Sequence, residues 1–491
     1  MENASVNKKF FLWFHMHQPS YEIPDSNYLY LPWVRRHMLN GYYMVPKLLL
    51  DSEAKVNINF SGILLEQMKL YKEGIIKDIY QYYEEKEATS LSEAEKNFII
   101  ERFLVPLPIK SDRFNYLLEK KLKKEPFSMP EILDTQVLFS ISAFALPEDE
   151  VLDLLKKGKN FSESDKLTIT EVQKKIIKSV IPMYKKLISE NQIEITVSPY
   201  YHPIIPLLID QDSAKESKED VTLPDIEFAY PEDAEQQIKK SIEIYEEIFG
   251  IKPTGMWPSE GGISNATIDL IKNQGIKWIG TDELILRKTT ETLIKPSGVY
   301  DVRNLKVFFR DHHLSDKVAF VYNKMNPEDA VSDLLNDKVE KKEGIKVIIL
   351  DGENPWSFYP SNGVPFLKEL FNNLDKENNL LGSDAVATDK ISSVKPGSWV
   401  NGCFDTWIGD SETNKAWTYL FEARKKLGKN EKSMDDILMA EGSDSFWWYS
   451  NFHKNEVDFS FDYMFRARLI NAYKNADEAI PGYLLYTIKK F

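Results

Sequence analysis

The chain has 491 residues, with 62 Lys and Arg against 76 Asp and Glu, a formal net charge of -14, and 43% apolar and 28% charged residues. This balance excludes a disordered chain and argues against nucleic acid as a partner, since such binding depends on neutralising phosphates. A single cysteine, Cys403, rules out an internal disulfide framework and any cysteine-based zinc cluster, and no run reaches the roughly 20 apolar residues of a membrane span.

The amino terminus, MENASVNKKFFLWFHMHQPSY, offers too short an apolar stretch for a secretory signal, so a reducing, cytoplasmic location is expected. Seven short β-rich runs follow in order: KFFLWF near residue 9, KVNINF near 55, IEITV near 193, TGMW near 254, KWIG near 277, KVFF near 306 and KVIIL near 346. Segments of helical period lie between them, among them EVQKKIIKSVIPMYKKLISE, EDAEQQIKKSIEIYEEIFG and PEDAVSDLLNDKVEKKEG. Strand and helix in alternation predict an α/β fold with a parallel sheet covered on both faces. Seven units predict a closed or nearly closed barrel, with a doubly wound open sheet as the alternative. Residues 62–190 hold one weak strand candidate, TQVLFSISAF, among charged helices, which reads as a helical insertion. Beyond about 380 the strand signals fade, while NKAWTYLFEARKKL and DYMFRARLINAYKNA carry helical period. Residues 1–380 are therefore expected to form the barrel, and 381–491 a C-terminal, mainly helical domain that contributes to the substrate cleft.

Every strand candidate ends in chemically able residues: His15, His17 and Gln18; Ser61 and then Glu66; Tyr200, Tyr201 and His202; Glu260; Asp282 and Glu283; Arg310, Asp311 and His312; Asp351 and Glu353. In a β/α barrel the loops after the strands share one face, so these residues would meet in one pocket. In GMWPSEGGIS, Pro258 biases Trp257 towards an extended backbone, and Gly261 and Gly262 leave room for a substrate to approach Glu260. In ILDGENPWSFYP, Asp351 stands where an apolar strand stops. Retaining glycoside hydrolysis needs an ionised carboxylate and a protonated one about 5–5.5 Å apart, which Glu260 and Asp351 could supply. Trp356 and Glu353 are candidate sources of the desolvation and negative charge that would keep Asp351 protonated. The HMH triplet sets two histidines on one side of a strand, as a metal-dependent polysaccharide deacetylase would, but the chain lacks HExxH or a second HxH pair. Neutral imidazoles serve equally as hydrogen-bond partners for sugar hydroxyls. Trp399, Trp407, Trp447 and Trp448, beside Asp405, Asp410 and Asp444, could line sugar subsites or pack the helical domain.

Together these motifs resemble glycoside hydrolase family 57, an α-glucan-active family with an incomplete (β/α)7 barrel followed by a helical region. HMHQP resembles its first motif, SGILLEQ its second, GMWPSE its third, LDGENPW its fourth and AEGSDSFWW its fifth, over nearly the whole chain. The resemblance implies Glu260 as nucleophile, Asp351 as general acid/base, and His15, His17, Glu66, Glu353 and Asp444 around the cleaved sugar. His202, Trp257, Asp282, Trp356, Trp407, Trp447 and Trp448 complete the expected substrate-binding set. It implies an α-glucan or maltooligosaccharide substrate, no organic cofactor and no catalytic metal. WPSE and LDGEN are most similar to the amylopullulanase and α-amylase group, which implies hydrolysis of α-1,4 bonds, with α-1,6 bonds as a further candidate. Ser445 departs from the bulky aromatic expected after Asp444. A 4-α-glucanotransferase on the same site and a catalytically silent glucan-binding relative are the alternatives.

Overall fold

Each of the seven β-rich runs forms a strand in the computed structural model, which describes residues 9–107, 109–291, 298–337, 344–374, 379–453 and 459–489. These seven are β1 (Lys9–Met16), β2 (Val56–Ser61), β3 (Ile193–Ser198), β4 (Gly255–Met256), β5 (Trp278–Asp282), β6 (Leu305–Arg310) and β7 (Ile345–Asp351). Two short strands that the sequence did not announce, Val299–Val302 antiparallel to β6 and Asp389–Ile391 beside Val299–Val302, extend the same sheet. The seven pair in the order β7-β1-β2-β3-β4-β5-β6, every pairing parallel. Among the described residues no ladder joins β6 to β7. The ring closes there by two isolated bonds, Asp311 N–H to the Val347 carbonyl and Arg310 Nε to the Ile349 carbonyl, both 2.8 Å. The architecture is thus an incomplete (β/α)7 barrel rather than an open doubly wound sheet. Residues 1–8 of the stretch read for a signal, and 338–343 of the amphipathic segment at 327–344, lie outside the described residues.

Strand alternation and parallel register together fill the ring. Phe11 and Trp13 of β1, Trp278 of β5, Phe308 of β6 and Val347 and Ile349 of β7 form one buried cluster inside it. Gly280 is what leaves space for Trp13, because a Cβ there would lie 2.4 Å from that indole. The alternate residues Phe10, Leu12, Phe14 and Met16 join the core beneath the helices. Burial on both faces explains why these runs read as continuous apolar stretches.

Between β2 and β3 the chain is helical, from Gly62–Glu73 to the long helix Glu163–Ser189. The strand candidate TQVLFSISAF is corrected here: its first seven residues lie in the helix Met129–Ile141. Ser128 and Glu131 form a reciprocal cap at its start with Pro130 in the first turn, and the helix is buried almost all round, which hides the 3.6 period. The C-terminal helices, Ser411–Leu427, Glu431–Ala440, Ser443–Tyr449 and Ser460–Asn475, start later than the expected boundary near 380. Residues 379–400 first run back along the barrel: Leu380 N–H bonds the Phe10 carbonyl, Thr388 N–H bonds that of Val299, and Gly397 pairs with Ile263. That return path carries Trp399 to the strand ends. Among the described residues no helix is long and apolar enough to cross a membrane.

Candidate active site

The inward parity of β1 continues past Trp13 to His15, which pairs in register with Asp351 on one side and Asn59 on the other. His15 Nδ1 lies 2.6 Å from Asn59 Oδ1. His17 Nδ1 lies 2.7 Å from Ser61 Oγ, and its Nε2 lies 3.0 Å from Asp444 Oδ2. His202, 1% exposed and at φ +60°, stacks almost parallel on His17 at 3.8 Å and on His15 at 5.0 Å between ring centroids. Its Nδ1 is 3.0 Å from Ser443 Oγ, while its Nε2 has no partner among the described residues. Burial first, and then the neighbouring imidazole His17, push His15 down to about 3 and His202 well below the usual histidine range. Both rings are therefore neutral near pH 7 and offer hydrogen bonds rather than charge.

The metal-ligand group suggested by HMH takes a different form. His17, His202 and Asp444 offer atoms within 4.8 Å of one another, without His15. The planes of His17 and His202 are only 19° apart, so their in-plane lone pairs run side by side, and a metal would need one ring to turn.

Glu260 follows β4 on a tight turn in which it and Gly261 are both left-handed, at φ +56° and +61°. Such a conformation costs a non-glycine residue on the order of 1 kcal/mol or more and is held only where its surroundings fix it. The fixing comes from the return segment: Trp399 N–H bonds the Glu260 carbonyl at 2.9 Å, next to the Ile263–Gly397 bridge. Trp257, fully buried, is edge-on to both Trp13 and Trp399, and a Cβ on Gly261 would come within 3.1 Å of its ring. Trp257 therefore forms the floor under the site. Trp399 Nε1 donates to Glu260 Oε2 at 2.8 Å, and Ser443 Oγ donates to Oε1 at 3.4 Å. Burial pushes the Glu260 carboxyl up to about 8, helped by the charges of Asp444 and Asp351 and opposed by these two donors.

Asp351 ends β7, across the ring from β4. It lines a cavity of about 330 Å³ together with Arg310, Asn354 and the same Trp399 that binds Glu260. Burial raises its carboxyl, against the Asn354 hydrogen bond at 3.0 Å and the charges of Arg310 and His17. Glu353 turns the other way: at 3% exposure it accepts bonds from Tyr42 Oη at 2.8 Å, His17 N–H at 3.1 Å and Gln18 Nε2 at 3.3 Å. Burial and the charge of Asp351 push it up to about 8. The expected help from Trp356 is corrected, because that indole is fully buried against Phe14, Tyr359 and Phe366 and donates to the Gly352 carbonyl.

Other expected residues separate in the same way. Asp282, fully buried, caps the following helix through Leu284 N–H and holds Arg310 and His312, each at 3.2 Å, so it positions rather than touches. Glu66 bonds Tyr200 Oη and lines a different cavity with Glu22 and Asp435, so it is not brought to the two acids. Trp407 is fully buried against Trp447, its carbonyl taken by Trp417 Nε1, and is core rather than subsite. Trp447 and Trp448 are half-buried, the latter stacked on Phe461. Ser61, expected from its strand-end position, anchors His17, whereas Asn59 and Ser443, which anchor His15 and His202, were not among the expected residues. The signal for Asn59 was present: Asn57, Asn59 and Ser61 put polar side chains on the inward parity of an otherwise apolar strand.

A barrel whose strand ends present buried, proton-holding carboxyl groups against tryptophan defines an enzyme of glycoside hydrolase type. The comparisons narrow this: residues 11–390 match Glycosyl hydrolase family 57, and the chain belongs to that family. Its fold is similar to a branching enzyme of this family from Thermococcus kodakaraensis, at 15% identity and a TM-score of 0.58, covering 97% of this chain and 93% of the other. An α-amylase from Thermotoga maritima is 14% identical with a TM-score of 0.57, over 97% and 95% of the two chains. A 4-α-glucanotransferase from Thermococcus litoralis is 14% identical with a TM-score of 0.56, over 95% and 59%. No match is found among curated protein sequences.

Proposed function

We propose that this chain is a retaining α-glucan hydrolase that cleaves α-1,4 glucosidic bonds by double displacement, with α-1,6 bonds as a further candidate. The observation that carries the reading is Trp399, which holds Glu260 Oε2 while its ring walls the cavity of Asp351. Glu260 attacks the anomeric carbon, and Asp351 gives its proton to the departing sugar oxygen. Water then loses a proton to Asp351 and releases the glycosyl group from Glu260. Burial raises both carboxyls, and the negative charge of Asp351 raises Glu260 further. The productive form carries one proton on the pair, and carries it on Asp351. His17, His202 and Asp444 are assigned to the hydroxyls of the sugar being transferred. The α-glucan enzymes among the similar folds support the substrate class.

The test is proton NMR of maltoheptaose digestion. The first product released carries the α anomer, and Glu260→Gln lowers the rate by at least about 10⁴-fold. A β anomer appearing first, or a Gln variant as fast as the native enzyme, would falsify the reading.

A further inference from the structure

One buried amide joins two remote stretches of the chain. Gln237, fully buried in the helix Pro231–Phe249, accepts a hydrogen bond from Tyr201 N–H at Oε1, 2.9 Å away. Its Nε2 donates to the Leu438 carbonyl at 2.8 Å and to Glu441 Oε2 at 2.9 Å, and its backbone carbonyl takes Tyr200 N–H at 2.9 Å. An amide side chain has two N–H donors and one acceptor oxygen. All are in use here, and they tie residues 200–201 to residues 438–441. Glu441, 1% exposed, is held in turn: burial and then the charge of Asp233 raise it well above the usual carboxylate range, and a hydrogen bond to Asp233 adds to the rise. Arg424 grips Asp233 at 2.6 and 2.8 Å, so Glu441 keeps its proton beside that pair rather than adding a second charge.

Both stretches run on at once into the site. Past Tyr201 comes His202, left-handed at φ +60°, and past Glu441 come Gly442, Ser443 and Asp444. They meet in an antiparallel bridge between Pro203 and Gly442, with Ser443 N–H on the His202 carbonyl at 3.0 Å. So close an approach needs the glycine, because a Cβ on Gly442 would lie 2.7 Å from the Tyr201 carbonyl. Ser443 Oγ then stands 3.0 Å from His202 Nδ1 and donates to Glu260 Oε1 at 3.4 Å, while Asp444 reaches His17. A hydrogen bond of 3.4 Å is near the limit of such contacts, so a shift of a few tenths of an ångström in either stretch breaks it. We infer that Gln237 is a positioning residue for the reaction: it seats His202, Ser443 and Asp444 against Glu260, acting through the two backbone stretches it joins and not on the substrate. The inference rests on the double-displacement reading above.

Gln237→Met removes the three side-chain bonds and adds no charge. Per folded molecule, its kcat on maltoheptaose is expected to fall about 30-fold with KM within about threefold of native, since the displaced groups bind the transition state more tightly than the substrate. The alkaline limb of kcat/KM, at about pH 8 in the native enzyme, is expected to move upward, because Ser443 no longer favours ionised Glu260. Gln237→Glu keeps the shape and the acceptor for Tyr201 but lacks the donors; it is expected to lower kcat in the same way, and it carries the test where the Met variant does not fold. The loss is also expected to pass through Ser443, so that Gln237→Met/Ser443→Ala stays within about threefold of Gln237→Met alone. Native kcat in the folded variants would overturn the proposal, and so would an unmoved alkaline limb in Gln237→Met or losses that multiply in the double variant; all three leave the double-displacement reading standing. A native protein that leaves maltoheptaose intact, or releases the β anomer first, would overturn that reading and this proposal with it.

Discussion

Two buried polar centres in this molecule treat their charges in opposite ways. In the helical region, Arg35, 0% exposed, donates to both oxygens of Asp78 and of Glu84 at 2.7–3.2 Å, and also to Gln173. Tyr71 and Ser140 add donors to the same two carboxylates. At the strand ends, the charge of Asp351 raises both Glu260 and Glu353, and Arg310, bonded to Asp282 and Asp316, acts on Asp351 through its charge without a bond to it. A carboxylate gripped by a guanidinium ties remote segments of the chain together. Glu260 and Glu353, buried with no cation bonded to them among the described residues, are raised to about 8, and a proton held that far into the neutral range is available for transfer. The difference separates a structural site from a chemical one without any appeal to motif.

The contrast is open to direct attack. The largest expected effect is on Asp351→Asn, which removes the proton donor. It should lower kcat/KM on maltoheptaose about 10³-fold while the melting temperature holds or rises, since an unpaired buried acid is lost. A melting temperature several degrees lower would instead place Asp351 with the structural charges. Next comes Arg35→Met, which strands two buried carboxylates and should cost about 3–5 kcal/mol in urea unfolding, with kcat per folded molecule unchanged. If stability barely moved, the pairing would not be what holds that region.

Smaller and pH-dependent is Glu353→Gln. The native carboxyl is raised from 4.5 to about 8 in the folded state, so the folded chain keeps a proton that the unfolded chain gives up earlier. The stability this contributes is complete below about pH 4.5 and lost as pH climbs to about 8. The amide carries no such penalty, so the variant should gain on native by about 2–4 kcal/mol at pH 8 and by nothing at pH 4. A gain independent of pH would contradict the assignment. The smallest effect is expected for Trp399→Phe, which removes the donor that favours ionised Glu260. Native kcat/KM should decline above about pH 8, where the acid pair loses its last proton. In the variant this alkaline limb should move upward, with roughly a tenfold loss at the optimum. A limb displaced downward would mean that the hydrogen bond acts on another group.

The barrel was legible because its signals are local. A strand buried on both faces announces itself as a short apolar run, and the two-residue alternation of side chains puts Phe11, Trp13 and His15 on one face of β1 whatever surrounds them. The helix at Met129–Ile141 was not legible as such, because burial all round removes the period that distinguishes helix from strand. Among the candidate site residues, Glu260 and Asp351 could be named from strand-end position and flanking glycines. Trp356, Trp407 and Trp399 are alike in sequence, yet the first two turn into the core and only the third reaches the acids.

The sequence alone determined seven of the strands and which residues stand at their ends, since each follows from neighbours a few positions away, while Val299–Val302 and Asp389–Ile391 were too short to announce themselves. Only the tertiary structure decided that residues 379–400 return to pin Glu260, that Glu66 falls in a separate cavity, and that Asp444 reaches His17 from a helix more than four hundred residues on. The reason is physical: how a loop is routed and how a helix is rotated depend on packing between remote segments, which no local periodicity records.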